Sequence, residues 1–308
     1  MTTLLISHSA CFDHDTGRMH PERPARLKAI LTALDGREFA GLERREGPAA
    51  TVDQIARVHA RPYIDRVLRS VPRSGLVGLD ADTMMSPGSG EAALRAAGAA
   101  TAAVDAVING EVANAFCAIR PPGHHAEAGQ AMGFCLFNNV AVAAAQARAI
   151  HGLKRVAAVD FDVHHGNGTQ HMFENDVDLF YASTHQWPLY PGTGAADETG
   201  VGNICNVPLA PMSGSREFRA GFEQAILPAL RRFQPELLLI SAGFDAHEND
   251  PLASLRLHEE DYRWATEALL EVADECCGGR VVSTLEGGYD LEALAASAVA
   301  HVRALMAA

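Results

Sequence analysis

Short runs of apolar, β-forming residues recur along the chain, and each ends abruptly in polar residues or glycine. The run Leu237-Leu238-Leu239-Ile240 is the clearest, and its continuous apolar character is typical of a strand covered on both faces of a parallel sheet. The pattern predicts six strands: Thr3 to Ser7, Ala115 to Ile119, Arg155 to Asp160, Leu179 to Ser183, Glu236 to Ser241 and Arg280 to Leu285.

Alanine-rich segments with helical periodicity lie between these strands. They predict helices at Glu91 to Ile108, Asn138 to Ile150, Arg216 to Phe233, Glu259 to Cys276 and Leu291 to Met306. Alternating strands and helices indicate the α/β class, with a mainly parallel sheet flanked by helices. No repeat or Pro/Gly/Ser-rich linker divides the chain, and residues 188–202 read as a loop inside the domain. We therefore expect one domain over residues 1–308, although this length can also hold two.

Composition and charge narrow the function classes. A chain that is 48% hydrophobic and 20% charged has enough apolar material for a large core. No apolar run reaches the roughly 18 residues of a membrane span, and the first ten residues resemble a strand more than a signal peptide, so we expect a cytoplasmic protein. Six cysteines without a paired spacing predict reduced, mostly buried thiols.

The formal net charge of −13 argues against direct binding of nucleic acid, which requires a basic surface. The same charge would attract basic peptides or polyamines, although it can equally serve solubility. Nothing in the sequence indicates an oligomeric state.

The strongest chemical signal follows the predicted strand that ends at Asp160. If the chain stays extended, residues two apart share a face, so that Asp160, Asp162 and His164 lie together and the last two can reach one metal ion. Asp245 follows another predicted strand. Two aspartates and one histidine leave a tetrahedral position open, which is typical of a catalytic zinc site. The alternatives are polar groups satisfied by backbone at a strand end and, for Asp245, a helix cap.

Two further motifs also follow predicted strands. His124 and His125 lie on an irregular proline-glycine turn, where one histidine beside a carboxylate can stay charged while its neighbour exchanges protons near neutral pH. A second metal site or a surface pair is the alternative. Tyr289 follows paired glycines and could donate a hydrogen bond to a developing oxyanion, although such a sequence is often only a turn.

These motifs, together with His14-Asp15-Thr16-Gly17 and the run from His20 to Arg26, resemble the histone deacetylase superfamily over nearly the whole chain. The resemblance implies the arginase/deacetylase fold and a zinc-dependent amidohydrolase that removes an acyl group, expected to be acetyl, from the lysine side chain of peptides or proteins. Asn167, where class I enzymes have Asp, and the proline-glutamate-arginine run resemble the class II pattern. An acetylpolyamine or other small-acylamine deacetylase is the alternative within the family.

The resemblance also implies a role for individual residues. One zinc ion per chain would be held by Asp162, His164 and Asp245. His125 would take a proton from water and return it to the leaving amine, His124 would stay charged beside Asp160, Asn167 would face His125, and Tyr289 would complete the oxyanion site. A structural potassium ion would be held by Asp160, Asp162, His164, Ser183 and Thr184.

The resemblance places Gly133, Phe134, Tyr190 and Leu252 around the acylated substrate. Tyr190 stands where the family often has Phe, so its hydroxyl makes the predicted tunnel less apolar. Leu252 matches a rim position at which an acidic residue would have indicated polyamines, and this favours acyl-lysine.

Three alternatives to a zinc deacetylase remain. A binuclear manganese ureohydrolase is disfavoured, because Ala246-His247-Glu248 after Asp245 lacks a second aspartate two residues on. A binding module that recognises acylated ligands without cleaving them is disfavoured by the complete set of catalytic residue types. An Asp/His/Asp site also accepts iron or cobalt, so that the metal depends on availability.

Overall fold

The computed structural model describes residues 2–308 and is built around one eight-stranded sheet. The strand order is β2-β1-β5-β10-β9-β6-β7-β8, and each neighbouring pair is parallel. In chain order the strands are β1 (Thr3–Ser7), β2 (Glu43–Glu46), β3 (Val77–Gly78), β4 (Met84–Met85), β5 (Asn114–Cys117), β6 (Val156–Asp160), β7 (Leu179–Gln186), β8 (Ile204–Leu209), β9 (Leu237–Ala242) and β10 (Val281–Leu285). Strands β3 and β4 form a separate antiparallel pair.

Helices cover both faces of this sheet. They are α1 (Pro24–Ala33), α2 (Val52–Ile55), α3 (Arg61–Arg69), α4 (Ser89–Ile108), α5 (Asn139–His151), α6 (Asn167–Phe173), α7 (Ser215–Gly221), α8 (Leu227–Phe233), α9 (Glu259–Cys277) and α10 (Leu291–Ala307). None of the helices among residues 2–308 is long and apolar enough to cross a membrane.

The structure confirms the α/β class, the parallel sheet and all six predicted strands, with ends that differ by up to three residues. The single predicted helix from Arg216 to Phe233 is wrong in detail, because a π-helical segment, Phe222–Ile226, separates α7 from α8. The edge strands β2 and β8 were not predicted. The sequence of β2 is Glu-Arg-Arg-Glu and β8 contains Pro208, which are features of sheet edges rather than of apolar central strands.

Alternate residues of the central strands pack into two separate hydrophobic layers. In β9, Leu238 and Ile240 join the layer that contains α9 and α10, whereas Leu237 and Leu239 join the layer that contains α4 and α5. This two-sided burial explains why the central strands have continuous apolar sequences.

The four strands β5, β10, β9 and β6 are neighbours in the middle of the sheet. Because they are parallel, their carboxyl ends lie along one edge, and the segments that follow them meet there. These segments contain the tandem histidines after β5, Tyr289 after β10, Asp245 after β9, and Asp162 and His164 after β6.

Candidate active site

The chain leaves β6 through two successive turns that its own carboxylates stabilise. The N–H of Asp162 donates to Oδ1 of Asp160 at 3.1 Å, and the N–H of His164 donates to Oδ1 of Asp162 at 2.8 Å. The prediction of an extended segment through His164 was therefore wrong, since β6 ends at Asp160. Side-chain-to-backbone turns of this kind, rather than strand alternation, bring Asp162 and His164 together.

Asp162, His164 and Asp245 converge on a single point. Nδ1 of His164 lies 3.1 Å from Oδ1 of Asp162 and 3.1 Å from Oδ2 of Asp245. Ligand atoms about 2.0–2.1 Å from a tetrahedral zinc ion lie about 3.3 Å apart, which is close to both distances. All three residues are buried, and one potential ligand atom of each lies within 4.8 Å of the others. The geometry and the donor set therefore fit a zinc ion.

The electrostatics of this cluster also favour a bound cation. Asp162 and Asp245 are at most 1% exposed, and two buried carboxylates with ligand atoms within 4.8 Å of each other need positive charge nearby. Burial lowers the pKa of His164, but hydrogen bonds to Asp162 and Asp245 and their charges outweigh this effect and raise the pKa to about 10. A site that would protonate its histidine at neutral pH is one in which a metal cation can take the place of the proton.

Two glycines allow the strand ends to approach the cluster. A Cβ atom on Gly243 would lie 2.0 Å from Oδ2 of Asp162, and one on Gly287 would lie 2.0 Å from Oδ2 of Asp245. The N–H of Gly287 donates to Oδ2 of Asp162 at 2.8 Å, and the N–H of Val163 donates to Oδ1 of Asp245 at 2.9 Å. Backbone of the segments that follow β10 and β6 thus orients both carboxylates.

His124 lies against a carboxylate, as predicted. Its Nδ1 is 2.9 Å from Oδ2 of Asp160. Burial lowers the pKa of His124, but the carboxylates of Asp160, Asp162 and Glu286 together outweigh burial, through their charges and the hydrogen bond to Asp160, and raise this pKa well above its usual value. The buried carboxylate of Glu286 accepts the N–H of Gly123 at 2.6 Å and that of His124 at 3.1 Å, and so anchors the turn that carries the histidines.

His125 has a different partner and a different charge state. Its Nδ1 lies 2.8 Å from Oδ1 of Asn167, a neutral group. Burial and the positive charges of His124 and His164 lower the pKa of His125 well below its usual value. The two neighbouring histidines are thus split into one that favours the cation and one that favours the neutral imidazole, a typical division between a charge-stabilising group and a general base.

Tyr289 reaches the same edge from the segment after β10. Its N–H donates to Oδ2 of Asp250 at 2.7 Å, and the guanidinium of Arg26 lies 4.8 Å from the centre of its ring. The Arg26 side chain also donates to the carbonyls of Gly288 and Glu286, each at 2.5 Å. Burial raises the pKa of Tyr289 well above its usual value, so that the phenol keeps its proton and can donate a hydrogen bond.

The predicted substrate residues lie next to His125, to Tyr289 or to the carboxylate that holds Tyr289. The ring of Phe134 lies 5.9 Å from that of Tyr289, and the ring of Tyr190 lies 5.2 Å from that of His125. Gly133 has a φ of +55°, and a Cβ there would meet the His125 ring at 2.4 Å. Leu252 is half-buried, and its N–H donates at 3.0 Å to Asp250, the carboxylate that also holds Tyr289.

The residues predicted to bind potassium lie beside the cluster. Asp160 and Ser183 are paired in the register of β6 and β7, and Thr184 is the next residue of β7. Oδ2 of Asp160 also accepts a hydrogen bond from the hydroxyl of Tyr181 at 3.1 Å. The assignment of these residues to a potassium ion stays a prediction.

Three buried carboxylates that lie within the sequence motifs support the site, although the motifs predicted no role for them. Glu22 is buried between two arginines, with Nη1 of Arg26 at 3.2 Å and Nη2 of Arg120 at 2.6 Å. Glu286 and Asp250 hold the histidine turn and Tyr289, as described above. The motifs are visible in the sequence, but the partner of each buried carboxylate is decided by contacts between segments that are distant in sequence.

The chain is similar to known proteins both in sequence and in structure. A family model described as a histone deacetylase domain matches residues 20–305. Histone deacetylase 14, chloroplastic, from Arabidopsis thaliana is 42% identical over 98% of this chain and 76% of its own length, and the histone deacetylase-like amidohydrolase of Pseudomonas aeruginosa is 42% identical over 87% and 71%. The crystal structure of the HDA15 HD domain superimposes with a TM-score of 0.93 at 36% identity, covering 99% of this chain and 88% of that one.

Proposed function

This chain belongs to the histone deacetylase family and is an amide hydrolase, and from that premise we propose that it is a zinc-dependent enzyme that removes an acetyl group from acetyl-lysine in peptides or proteins. The observation that carries the proposal is the convergence of Asp162, His164 and Asp245 beside His125. Tyr289 lies two residues after Gly287, whose N–H donates to Asp162. A bound zinc ion would polarise the acyl carbonyl and lower the pKa of a water molecule.

The protein's own residues account for the proton transfers and for part of the charge stabilisation. His125 is neutral and has its Nδ1 engaged by Asn167, so its Nε2 is the atom that accepts a proton from water and later protonates the leaving amine. His124, charged beside Asp160, stabilises negative charge nearby. Tyr289 keeps its proton and donates a hydrogen bond to the oxyanion. This hydrogen bond stabilises the transition state more than the substrate, because the negative charge develops only in the transition state.

The walls of the site support acyl-lysine over acylated polyamines. The ring of Tyr190 lies beside His125 and that of Phe134 beside Tyr289, and aromatic rings at these positions suit an extended apolar side chain. Leu252 places an apolar side chain on the loop that holds Tyr289. A small polycationic substrate would be better served by a carboxylate at this position.

We extend the proposal to a structural potassium ion bound by Asp160, Asp162, His164, Ser183 and Thr184, which would balance part of the buried negative charge. We also propose the cytoplasm as the compartment, because the six cysteines are unpaired thiols, which a reducing environment maintains. Amide hydrolysis at increasing potassium concentration and constant ionic strength tests the first proposal, and cell fractionation tests the second.

The decisive experiment incubates the zinc-loaded protein with acetyl-lysine peptides, longer-chain acyl-lysine peptides and acetylated polyamines, with a chelator-treated sample as the control. We expect chelator-sensitive amine release that is fastest from acetyl-lysine peptides. Faster release from acetylpolyamines would replace the proposed substrate class. Binding of acylated ligands without product formation would instead indicate a recognition module. Metal content near two per chain would favour a binuclear enzyme.

A further inference from the structure

Asn167 connects the general base to a second, unassigned carboxylate. Its Oδ1 faces Nδ1 of His125 at 2.8 Å, and its Nδ2 donates to Oε1 of Glu127 at 2.5 Å. Nδ2 also lies 3.2 Å from the backbone carbonyl of His125. Asn167 is 2% exposed, so water does not substitute for these partners.

The direction of the Asn167 amide matters for His125. An amide side chain is nearly symmetric in shape but has opposite hydrogen-bonding groups at its two ends, so a flip exchanges a donor for an acceptor. With the oxygen toward His125, Nδ1 of the imidazole must carry the hydrogen and Nε2 keeps its lone pair. With the NH₂ group toward His125, the tautomer reverses, and Nε2 can no longer accept a proton from water.

An ionised carboxylate accepts hydrogen bonds and donates none. Glu127 can therefore pair only with the NH₂ end of Asn167, not with its oxygen. We propose that Glu127 is a positioning residue for amide hydrolysis. It holds the Asn167 amide in one orientation and thereby keeps His125 in the tautomer with the hydrogen on Nδ1. This inference rests on the proposed function, in which His125 is the general base.

Glu127 is itself held firmly enough to act in this way. Its Oε1 accepts a second hydrogen bond from Nδ1 of His171 at 2.8 Å. Its backbone N–H donates to the carbonyl of Gln130 at 2.9 Å, and its backbone carbonyl lies 2.9 Å from Nδ1 of His59. The side chain is 22% exposed, so a charged substitution at this position is not fully buried.

The contrast between the two histidines explains why such a device is needed. Asp160 contacts His124 directly, and its charge contributes to the raised pKa of that histidine. A carboxylate placed directly on His125 would favour the cation in the same way and would lower the fraction of neutral imidazole at neutral pH. A neutral amide avoids this effect, but it introduces the possibility of a flip, which Glu127 opposes together with the backbone carbonyl of His125.

Glu127→Lys tests the proposal by replacing an obligatory acceptor with an obligatory donor. The introduced ammonium group should turn the Asn167 oxygen away from His125, and we expect kcat/KM to fall at least about 100-fold, since a wrong histidine tautomer is severely damaging in other hydrolases. Adding Asn167→Asp should restore kcat/KM to within about tenfold of the unmodified enzyme. The introduced aspartate accepts from His125 with one oxygen and from the introduced lysine with the other. Exposed Glu223→Gln serves as the unaffected control.

A spectroscopic readout separates this inference from the proposed function. In zinc-loaded protein with ¹⁵N-labelled histidine, we expect His125, assigned by its loss in His125→Ala, to show hydrogen on Nδ1 in the unmodified protein and on Nε2 in Glu127→Lys. If Glu127→Lys does not fold, as judged by its melting temperature, Glu127→Met is used, and a mixture of both tautomers is expected. An unchanged His125 tautomer in the folded variant, or no recovery of kcat/KM in the double variant, overturns the inference. Absence of amide hydrolysis by the unmodified protein would reject only the proposed function.

Discussion

Asp162 and Asp245 each accept backbone hydrogen bonds in addition to facing Nδ1 of His164. Because the backbone already sets their orientation, the ligand atoms are arranged before a metal ion binds. Preorganisation of this kind reduces the entropic and strain costs of metal binding. We therefore expect the removal of one ligand mainly to reduce the affinity for the metal.

Asp245→Ala removes one of the three ligands, and we expect the purified protein to lose its zinc. Elemental analysis after dialysis measures the zinc content per chain. Exposed Asp197→Ala is the matched control and should keep the metal content of the unmodified protein. Full zinc retention in Asp245→Ala would contradict the ligand assignment.

Tyr289→Phe removes one hydroxyl and leaves the ring against Arg26 and Phe134. Loss of an oxyanion donor typically costs on the order of 3 kcal/mol of transition-state stabilisation, so we expect kcat to fall roughly 100-fold. KM and zinc content should change little, because the hydroxyl acts in the transition state. Steady-state kinetics at matched zinc loading measure the effect, and an unchanged kcat would remove Tyr289 from the mechanism.

At the scale of elements, the site is assembled from segments that leave four neighbouring strands, and buried ion pairs join these segments to the rest of the chain. Glu22 precedes α1, Arg26 lies within α1, and Arg120 follows β5. Arg26 continues the connection to the carbonyls of Glu286 and Gly288, next to Tyr289. The loop before α1 therefore supports the tandem histidines and the tyrosine together.

Glu22→Gln should destabilise the fold, because it leaves Arg26 and Arg120 buried without their carboxylate. Breaking a buried ion pair from one side typically costs about 3–5 kcal/mol in the free energy of unfolding. Urea unfolding at neutral pH measures this cost. Glu43→Gln breaks the exposed pair with Arg45 and should cost less than about 1 kcal/mol.

The difference in free energy of unfolding between the unmodified protein and Glu22→Gln should depend on pH with a defined sign. Burial raises the pKa of Glu22, but the charges and hydrogen bonds of Arg120 and His14 together outweigh burial, and the pKa lies well below the usual 4.5. A carboxyl group with a depressed pKa stabilises the fold above its unfolded pKa and loses this contribution as the pH falls through the folded value. The stability difference between the unmodified protein and Glu22→Gln should therefore stay constant above pH 4.5 and shrink below it. A difference that grew on acidification would contradict this assignment.

At the scale of the whole molecule, the net charge of −13 gives the protein a negative long-range field. The charges of Asp82, Asp80 and Glu127 reach Tyr190, where they add to burial in raising the pKa of its hydroxyl. Long-range attraction of this kind accelerates the encounter with cationic substrates, and salt screens it.

We expect kcat/KM for an acetyl-lysine peptide with flanking arginines to fall as NaCl rises from about 20 to about 300 mM, over which the Debye length shortens severalfold. A peptide with neutral flanks should show little change under the same conditions. Potassium is kept constant, so that occupancy of the proposed ion site does not vary. Equal salt dependence for both peptides would show that the net charge does not steer substrate.

The amino-acid sequence alone was sufficient for the α/β class, the central strands and the resemblance to the family. These features depend on apolar runs and on residue types at fixed local spacing, both of which are visible along one chain. The sequence did not indicate the charged edge strand β2, because at a sheet edge the partner strand and the solvent replace apolar burial. It also did not indicate the break in the helix between Ser215 and Phe233, where the change to π-helical hydrogen bonding leaves no separate signal in the apolar pattern.

Within the site, sequence reasoning selected Asp162, His164 and Asp245 but explained two of them by an extended strand that the structure replaces with turns. The roles of Glu22, Asp250, Glu286 and Glu127 were decided only by tertiary structure. Each of these carboxylates acts on a group that is distant in sequence or is reached through an intermediate side chain. Local spacing can identify a residue that performs chemistry, whereas a residue that orients another becomes identifiable only when the parallel strand ends meet in space.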